Sequence, residues 1–142
     1  MTDDETRAFL SAGTRTGKIA WTAPSGQAHL APVWFLLDDG APSLEVLFNT
    51  GADTAKGRAL RRDPRLSLLV DDDQPPFAYV KLTGSVELSE DLTEVRRWAT
   101  RIGGRYMGPE RAEELGARNG VPGELLVRLR PTSVQAISGI AD

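Results

Sequence analysis

Apolar and polar positions alternate with a period of two in several short stretches, separated by a few segments with helical spacing. The cleanest alternation covers 77–88, with Ala78, Val80, Leu82, Val86 and Leu88 on one face. Phe77, Tyr79, Lys81, Thr83, Ser85 and Glu87 take the other face, which predicts an antiparallel strand with one side in a core. Leu44 to Thr50 alternates in the same way and predicts a half-buried strand. Leu66 to Val70 is a nearly continuous apolar strand. Lys18 to Ala23 and Gln27 to Leu37, separated by Pro24-Ser25-Gly26, predict a hairpin. Glu124 to Arg130 supplies a last strand, continued past Pro131 as Thr132 to Ile137. Pro32 has no N–H to give a ladder and therefore belongs at an edge, a bulge or an interruption of pairing. An interruption there leaves backbone groups beside Val33 and Trp34 free for a ligand.

Helices are predicted between these strands. Thr2-Asp3-Asp4-Glu5 reads as a capping box that opens a short helix through Leu10, ending at Gly13. Asp53 is the expected N-cap of a helix over 54–62, which Pro64 stops at Asp63. Leu92, Val95, Ala99 and Ile102 recur at helical spacing over 91–102, with Gly103-Gly104 as the expected stop. Pro109 suits the first turn of a further helix over 109–118. Short meandering strands with a few outer helices predict a mainly β fold with flanking helices, a small closed or partly closed antiparallel barrel. No linker divides residues 1–142, so a single domain is expected.

Composition narrows the chemistry. A net charge of −3 argues against general nucleic-acid binding. The chain has no cysteine and one histidine, which removes disulfides, thiolate sites and histidine-based metal clusters. Asp71-Asp72-Asp73 is better read as a solvated loop than as a metal site, because three successive side chains do not easily turn to one ion. No membrane-span or signal-peptide pattern is present, and the cytoplasm is the expected compartment.

The opening of the 54–62 helix is the strongest candidate site. Free backbone N–H groups at Thr54, Ala55 and Lys56 converge there with a hydroxyl and an ammonium, which is the chemistry of a phosphate pocket. Lysine is scarce in this chain (Lys18, Lys56 and Lys81 only). Arg58, Arg61, Arg62 and Arg65 either form a solvated face or recognise further anionic groups. Trp34 is either a core residue or a surface on which a ring stacks. Trp21 and Trp98 read as core or contact residues, and His29 as structural. Lys81, Arg128 and Arg130 either face solvent or reach into a groove. The sequence identifies no distinct acid–base residue.

Three ordered runs carry a family resemblance: Phe48-Asn49-Thr50-Gly51 with Thr54-Ala55-Lys56, Leu60 to Val70, and Tyr79-Val80-Lys81-Leu82-Thr83-Gly84. Arg105-Tyr106-Met107-Gly108 and Asn119 to Glu124 extend it. Together they resemble the pyridoxamine-5′-phosphate-oxidase-like split β-barrel superfamily, and within it the branch that binds the deazaflavin coenzyme F-420. The resemblance implies a split antiparallel β-barrel of the FMN-binding type, assembled as a homodimer with cofactor in two grooves between protomers. It points to Asn49, Thr50, Thr54, Ala55 and Lys56 around the phosphate, and to Pro32, Val33 and Trp34 along the ring. No equivalent of the segment that recognises pyridoxal phosphate is evident, so vitamin B6 oxidation is not expected. The implied activity is hydride transfer from reduced coenzyme F-420 to a small unsaturated organic acceptor. An FMN-dependent oxidoreductase and a non-catalytic cofactor-binding protein are the alternatives.

Overall fold

The outermost strands of the sheet are neighbours in sequence, and this dictates the architecture. In the computed structural model, which describes residues 1–142, the strands are β1 (Gly17–Thr22), β2 (Ala28–Val33), β3 (Leu36–Leu37), β4 (Val46–Gly51), β5 (Arg65–Asp72), β6 (Ala78–Ser89) and β7 (Glu124–Ile137). They form one sheet in the order β2-β1-β5-β6-β7-β4-β3, with every ladder antiparallel. Only Trp34 and Phe35 separate β2 from β3, and three backbone steps reach about 11 Å at most. The two edges must therefore meet. The sheet curls into a barrel that stays split between β2 and β3, where no ladder forms.

The predicted hairpin strand over Gln27–Leu37 is thus broken in two. Pro32 lies opposite Lys18 on the edge strand β2, where its missing N–H costs no ladder bond on the open side. The interior of the curl holds Ile19, Phe35, Phe48, Leu68, Val80, Leu82 and Leu129, all without solvent exposure. Leu10 of α1 (Asp3–Ser11) and Leu60 of α2 (Ala55–Arg62) join the same cluster. The capping box at Thr2 forms as read, with Thr2 Oγ1 accepting from Glu5 N–H at 3.1 Å.

Strand β4 departs from the half-buried reading. Val46 and Phe48 face the interior, while Leu47 on the other face packs with Val95, Trp98 and Leu126. That second face is covered by α3 (Leu92–Met107), so β4 is apolar on both sides. The expected stop of α3 at Gly103-Gly104 also fails, because these glycines serve close helix packing. A Cβ on Gly103 would sit 2.7 Å from that of Leu115 in α4 (Ala112–Asn119), and one on Gly104 would sit 3.3 Å from that of Ala112. The helix ends at Gly108, whose φ of 98° suits glycine. A 3-10 turn over Pro109–Arg111 then leads into α4. The N-cap of α2 is Thr54 and not Asp53, since Thr54 Oγ1 accepts from Gly57 N–H. No helix is long and apolar enough to cross a membrane.

The α3–α4 crossing gives a test of this packing. In an open helix, Gly→Ala stabilises by roughly 1 kcal/mol. At Gly116, however, the new Cβ would lie 1.8 Å from Thr100 Oγ1 and 3.0 Å from Thr100 Cα. Gly116→Ala is therefore expected to destabilise the fold by about 1–3 kcal/mol in urea unfolding. A gain in stability would mean that the helices cross farther apart.

Candidate functional site

The corner between β4 and α2 is fixed by a threonine and a glycine. Thr54 Oγ1 donates to Gly51 O at 2.7 Å and accepts from Gly57 N–H at 3.1 Å, tying the first helical turn to the end of the strand. Gly57 has no side chain because a Cβ there would meet Gly51 O at 2.2 Å. The amides of Ala55 and Lys56, ahead of Gly57 in the first turn, have no intrahelical acceptor.

Lys56 lines a cleft of ≈ 350 Å³ together with Asn49 of β4, Pro32 and Val33 of β2, Trp34 of the barrel seam, and Thr16. The seam itself is held from α3. Trp34 stacks on Tyr106 with ring centroids 5.1 Å apart and planes 3° from parallel. Tyr106 Oη accepts from Phe35 N–H at 3.2 Å and donates to Arg15 O at 2.8 Å. Burial raises the phenol's pKa and keeps it a donor. Arg105 donates to Leu10 O (2.8 Å), Gly13 O (3.1 Å) and Phe35 O (2.8 Å). Its guanidinium also lies over the Phe35 and Tyr106 rings, at 4.7 and 4.9 Å. Trp34 remains 37% exposed, so one side of a clamped indole is open to a ligand.

The structure thus brings Pro32, Val33, Trp34, Asn49 and Lys56 to one cleft. Thr50 does not join them. Successive strand residues face opposite sides, and its buried hydroxyl approaches Thr54 Oγ1 at 3.4 Å. The Thr54 hydroxyl is committed to the helix cap. Ala55 borders a different depression, beside Trp21, His29 and Arg58.

The other charged candidates have local partners. Arg58 donates to Asp53 O, Arg61 pairs with Glu90, Arg62 donates to Thr22 O, and Arg65 pairs with Asp63. Arg65 holds the Asp63 carboxyl down at about 2. Arg128 bridges Asp38 and Glu45, and Arg130 pairs with Glu87. Lys81 is exposed. His29 stacks on Trp21 at 5.7 Å. Asp71 and Asp72 belong to β5 and pair with Lys18 and Arg15, so they are not a free loop. Trp98 lies in the α3 cluster.

Reading the residues singly missed the roles of Arg105, Tyr106 and Glu124. Glu124 lies opposite Gly51 in the β4–β7 ladder, and its Oε2 is buried without a partner. Burial raises its pKa, and only the nearby Lys56 ammonium pulls it back. Asn49 Nδ2 is likewise buried and unpartnered. The available signal was the lone acid at the start of an apolar strand, directly after Pro122-Gly123.

Residues 2–138 match the family model described as pyridoxamine 5′-phosphate oxidase. No curated protein matches the chain by sequence. Among solved structures, the conserved hypothetical protein Rv2991 from Mycobacterium tuberculosis is 28% identical, with a TM-score of 0.84 over 98% of this chain and 86% of that one. An F420 reductase shares 21% identity and a TM-score of 0.69, over 90% of this chain and 94% of its own. A FAD-binding protein from Mesorhizobium loti shares 18% identity and a TM-score of 0.67, over 96% of this chain and 92% of its own. The last two likenesses establish the fold alone.

The buried carboxyl has a pH signature. Its folded pKa is raised, so the stability it contributes is complete below its ordinary value of 4.5 and is lost as pH rises through the folded value. Glu124→Gln, neutral throughout, should be more stable than the parent in thermal unfolding at about pH 8. The difference should shrink as pH falls below the ordinary carboxylate range. An advantage unchanged by acid would remove carboxylate burial as the cause.

Proposed function

The chain belongs to the pyridoxamine 5′-phosphate oxidase family, and from that premise we propose that it is an oxidoreductase that binds the deazaflavin coenzyme F-420 and reduces a small unsaturated acceptor. The observation that carries this reading is the single cleft joining Lys56 to the clamped indole of Trp34. Its ends suit a flat ring with an acidic tail. The ammonium of Lys56 and the spare amides of the first α2 turn fit a phosphate. Pro32, Val33 and Trp34 offer an apolar wall for a tricyclic ring, and the volume falls within the range of about 300–1,000 Å³ usual for small-ligand sites. Asn49 supplies a buried amide with no partner in the protein.

Such a cofactor brings hydride chemistry when bound; the protein supplies binding, orientation and exclusion of water. Lys56 neutralises the anionic end. Tyr106 and Arg105 hold Trp34 and Phe35 in place, so the wall is set before any ligand arrives. The cleft is open on one side, and a second copy of the chain is the proposed source of the missing wall. The runs from Phe48 to Gly84 that resemble the F-420 branch favour the deazaflavin, whose polyglutamate tail calls for cations beyond Lys56. Arg61 and Arg65 hold only exposed ion pairs, which are worth little and exchange easily, although Arg65 borders a separate depression beside Trp21 and neither lines the cleft. FMN is the second reading. It is favoured by the local engagement of all four arginines, since FMN needs only one phosphate site.

Parallel titrations with F-420 and FMN, followed by turnover over an acceptor panel, separate the two readings from a non-catalytic binder. Lys56→Ala is expected to weaken binding of the preferred cofactor by about 1.5–3 kcal/mol, as for a charge-assisted contact. Unchanged affinity would remove Lys56 from the site. Sedimentation is expected to give a dimer; a stable monomer would leave the cleft with one wall.

A further inference from the structure

A second cavity, of ≈ 220 Å³, lies beyond Trp34 beneath α3, and Trp34 and Asn49 border both spaces. Side chains two apart on a strand share a face. Asn49, two after Leu47, and Glu124, two before Leu126, therefore both stand on the side of the sheet that α3 covers. Ala99, Ile102 and Gly103 of α3 line this cavity, together with Asn119 of α4. Gly51, opposite Glu124, has no side chain to cover the carboxyl; a Cβ there would come within 3.4 Å of Oε2.

Asn49 and Glu124 both line this cavity, and each carries a buried polar atom that the protein leaves unsatisfied, the donor Nδ2 of Asn49 and the acceptor Oε2 of Glu124. Trp98 Nε1, in the neighbouring α3 cluster, is a third such atom, but its residue does not line the cavity. Buried polar groups are nearly always hydrogen-bonded, so a pair left open in this way calls for a ligand that completes it. We propose that Asn49 and Glu124 read a planar imide or lactam edge, a carbonyl oxygen beside an N–H, on a ligand that enters past Trp34. The Asn49 amide donates to the carbonyl, and Glu124 Oε2 accepts from the N–H. Such an edge occurs on the pyrimidine end of a flavin-like ring and on many small carbonyl compounds. The proposal rests on the cofactor reading in the first case only.

The probes are 1-methyluracil, which presents one imide N–H between carbonyls, and 1,3-dimethyluracil, in which that N–H is blocked. Binding is followed by the NMR shift of the Trp34 indole N–H. The first is expected to bind at least tenfold more tightly than the second. Glu124→Leu should erase the preference and Asn49→Leu should weaken both uracils at least several-fold, while Glu124→Gln, which keeps an acceptor oxygen and the shape, should retain the preference. Equal binding of the two uracils to the parent protein, as in a cavity that simply holds water, would overturn the assignment. So would a preference that survives Glu124→Leu, or an affinity for both uracils unchanged by Asn49→Leu.

Repeating the titration with FMN present assigns the source. If FMN displaces 1-methyluracil and binds at least tenfold more tightly than its N3-methyl derivative, the edge belongs to the ring. If 1-methyluracil still binds beside FMN, the edge belongs to a separate small ligand. Failure of FMN and F-420 to bind would sink the cofactor reading and leave the uracil comparison intact.

Discussion

The guanidinium of Arg105 holds together a barrel that its own topology prevents from closing. Because the chain crosses from β2 to β3 within Trp34 and Phe35, those residues cannot join either ladder, and their backbone groups need other partners. Arg105 gathers the carbonyls of Leu10, Gly13 and Phe35, which come from the end of α1, the turn after it and the seam. Tyr106 takes the Phe35 amide and returns a bond to Arg15 O. Hydrogen bonds from a charged donor contribute roughly 1.5–3 kcal/mol each, and an orphaned carbonyl costs a comparable amount. Lysine would not replace this arginine, since the planar fork with several donors is what reaches three carbonyls at once.

From this constraint the cleft follows. A seam zipped by hydrogen bonds would leave no gap beside Trp34, whereas one bridged from α3 keeps the two edges near and unpaired. Stacking on Tyr106 fixes the indole from one side and leaves the other free. At the far end, Thr54 and Gly57 bring the first turn of α2 against the last residue of β4, which places Lys56 over the same gap. Two unrelated local devices, a helix cap and an aromatic clamp, thus define the two ends of one ligand-sized space.

Much of this was legible in the sequence wherever burial is one-sided and local. The alternation in β6, the cap at Thr2 and the position of Pro32 each report a neighbourhood of a few residues, and each was read correctly. The start of α2 was also legible, though its cap fell one residue later than expected. Less visible were features imposed by distant segments. The second buried face of β4 exists because α3 lies on it, and the Gly103-Gly104 pair looks like a helix stop until α4 is packed against it. Arg105 reaches carbonyls more than ninety residues earlier in the chain, which no local pattern encodes. Thr50 and Thr54 seemed equivalent to Asn49 and Lys56 as ligands. Strand alternation turns the first away, and capping consumes the second.

The residues that defied a local reading are also those where the fold tolerates its least favourable chemistry. A carboxylate opening an apolar strand, an amide beneath a helix and a bare glycine between them conflict with a core built only for stability. Replacing Glu124 by an apolar residue would relieve the desolvation that raises its pKa, and a side chain on Gly51 would pack against the unpartnered oxygen. Neither change has been made in this chain, although Val95, Leu47 and Leu126 show that the same sheet face packs with apolar side chains elsewhere. Asn49 stands on the rim shared with the cleft, and Glu124 on the wall of the cavity behind it. Local instability placed where a ligand can complete it is better explained by recognition than by poor packing, because poor packing has no reason to leave a donor and an acceptor on one wall.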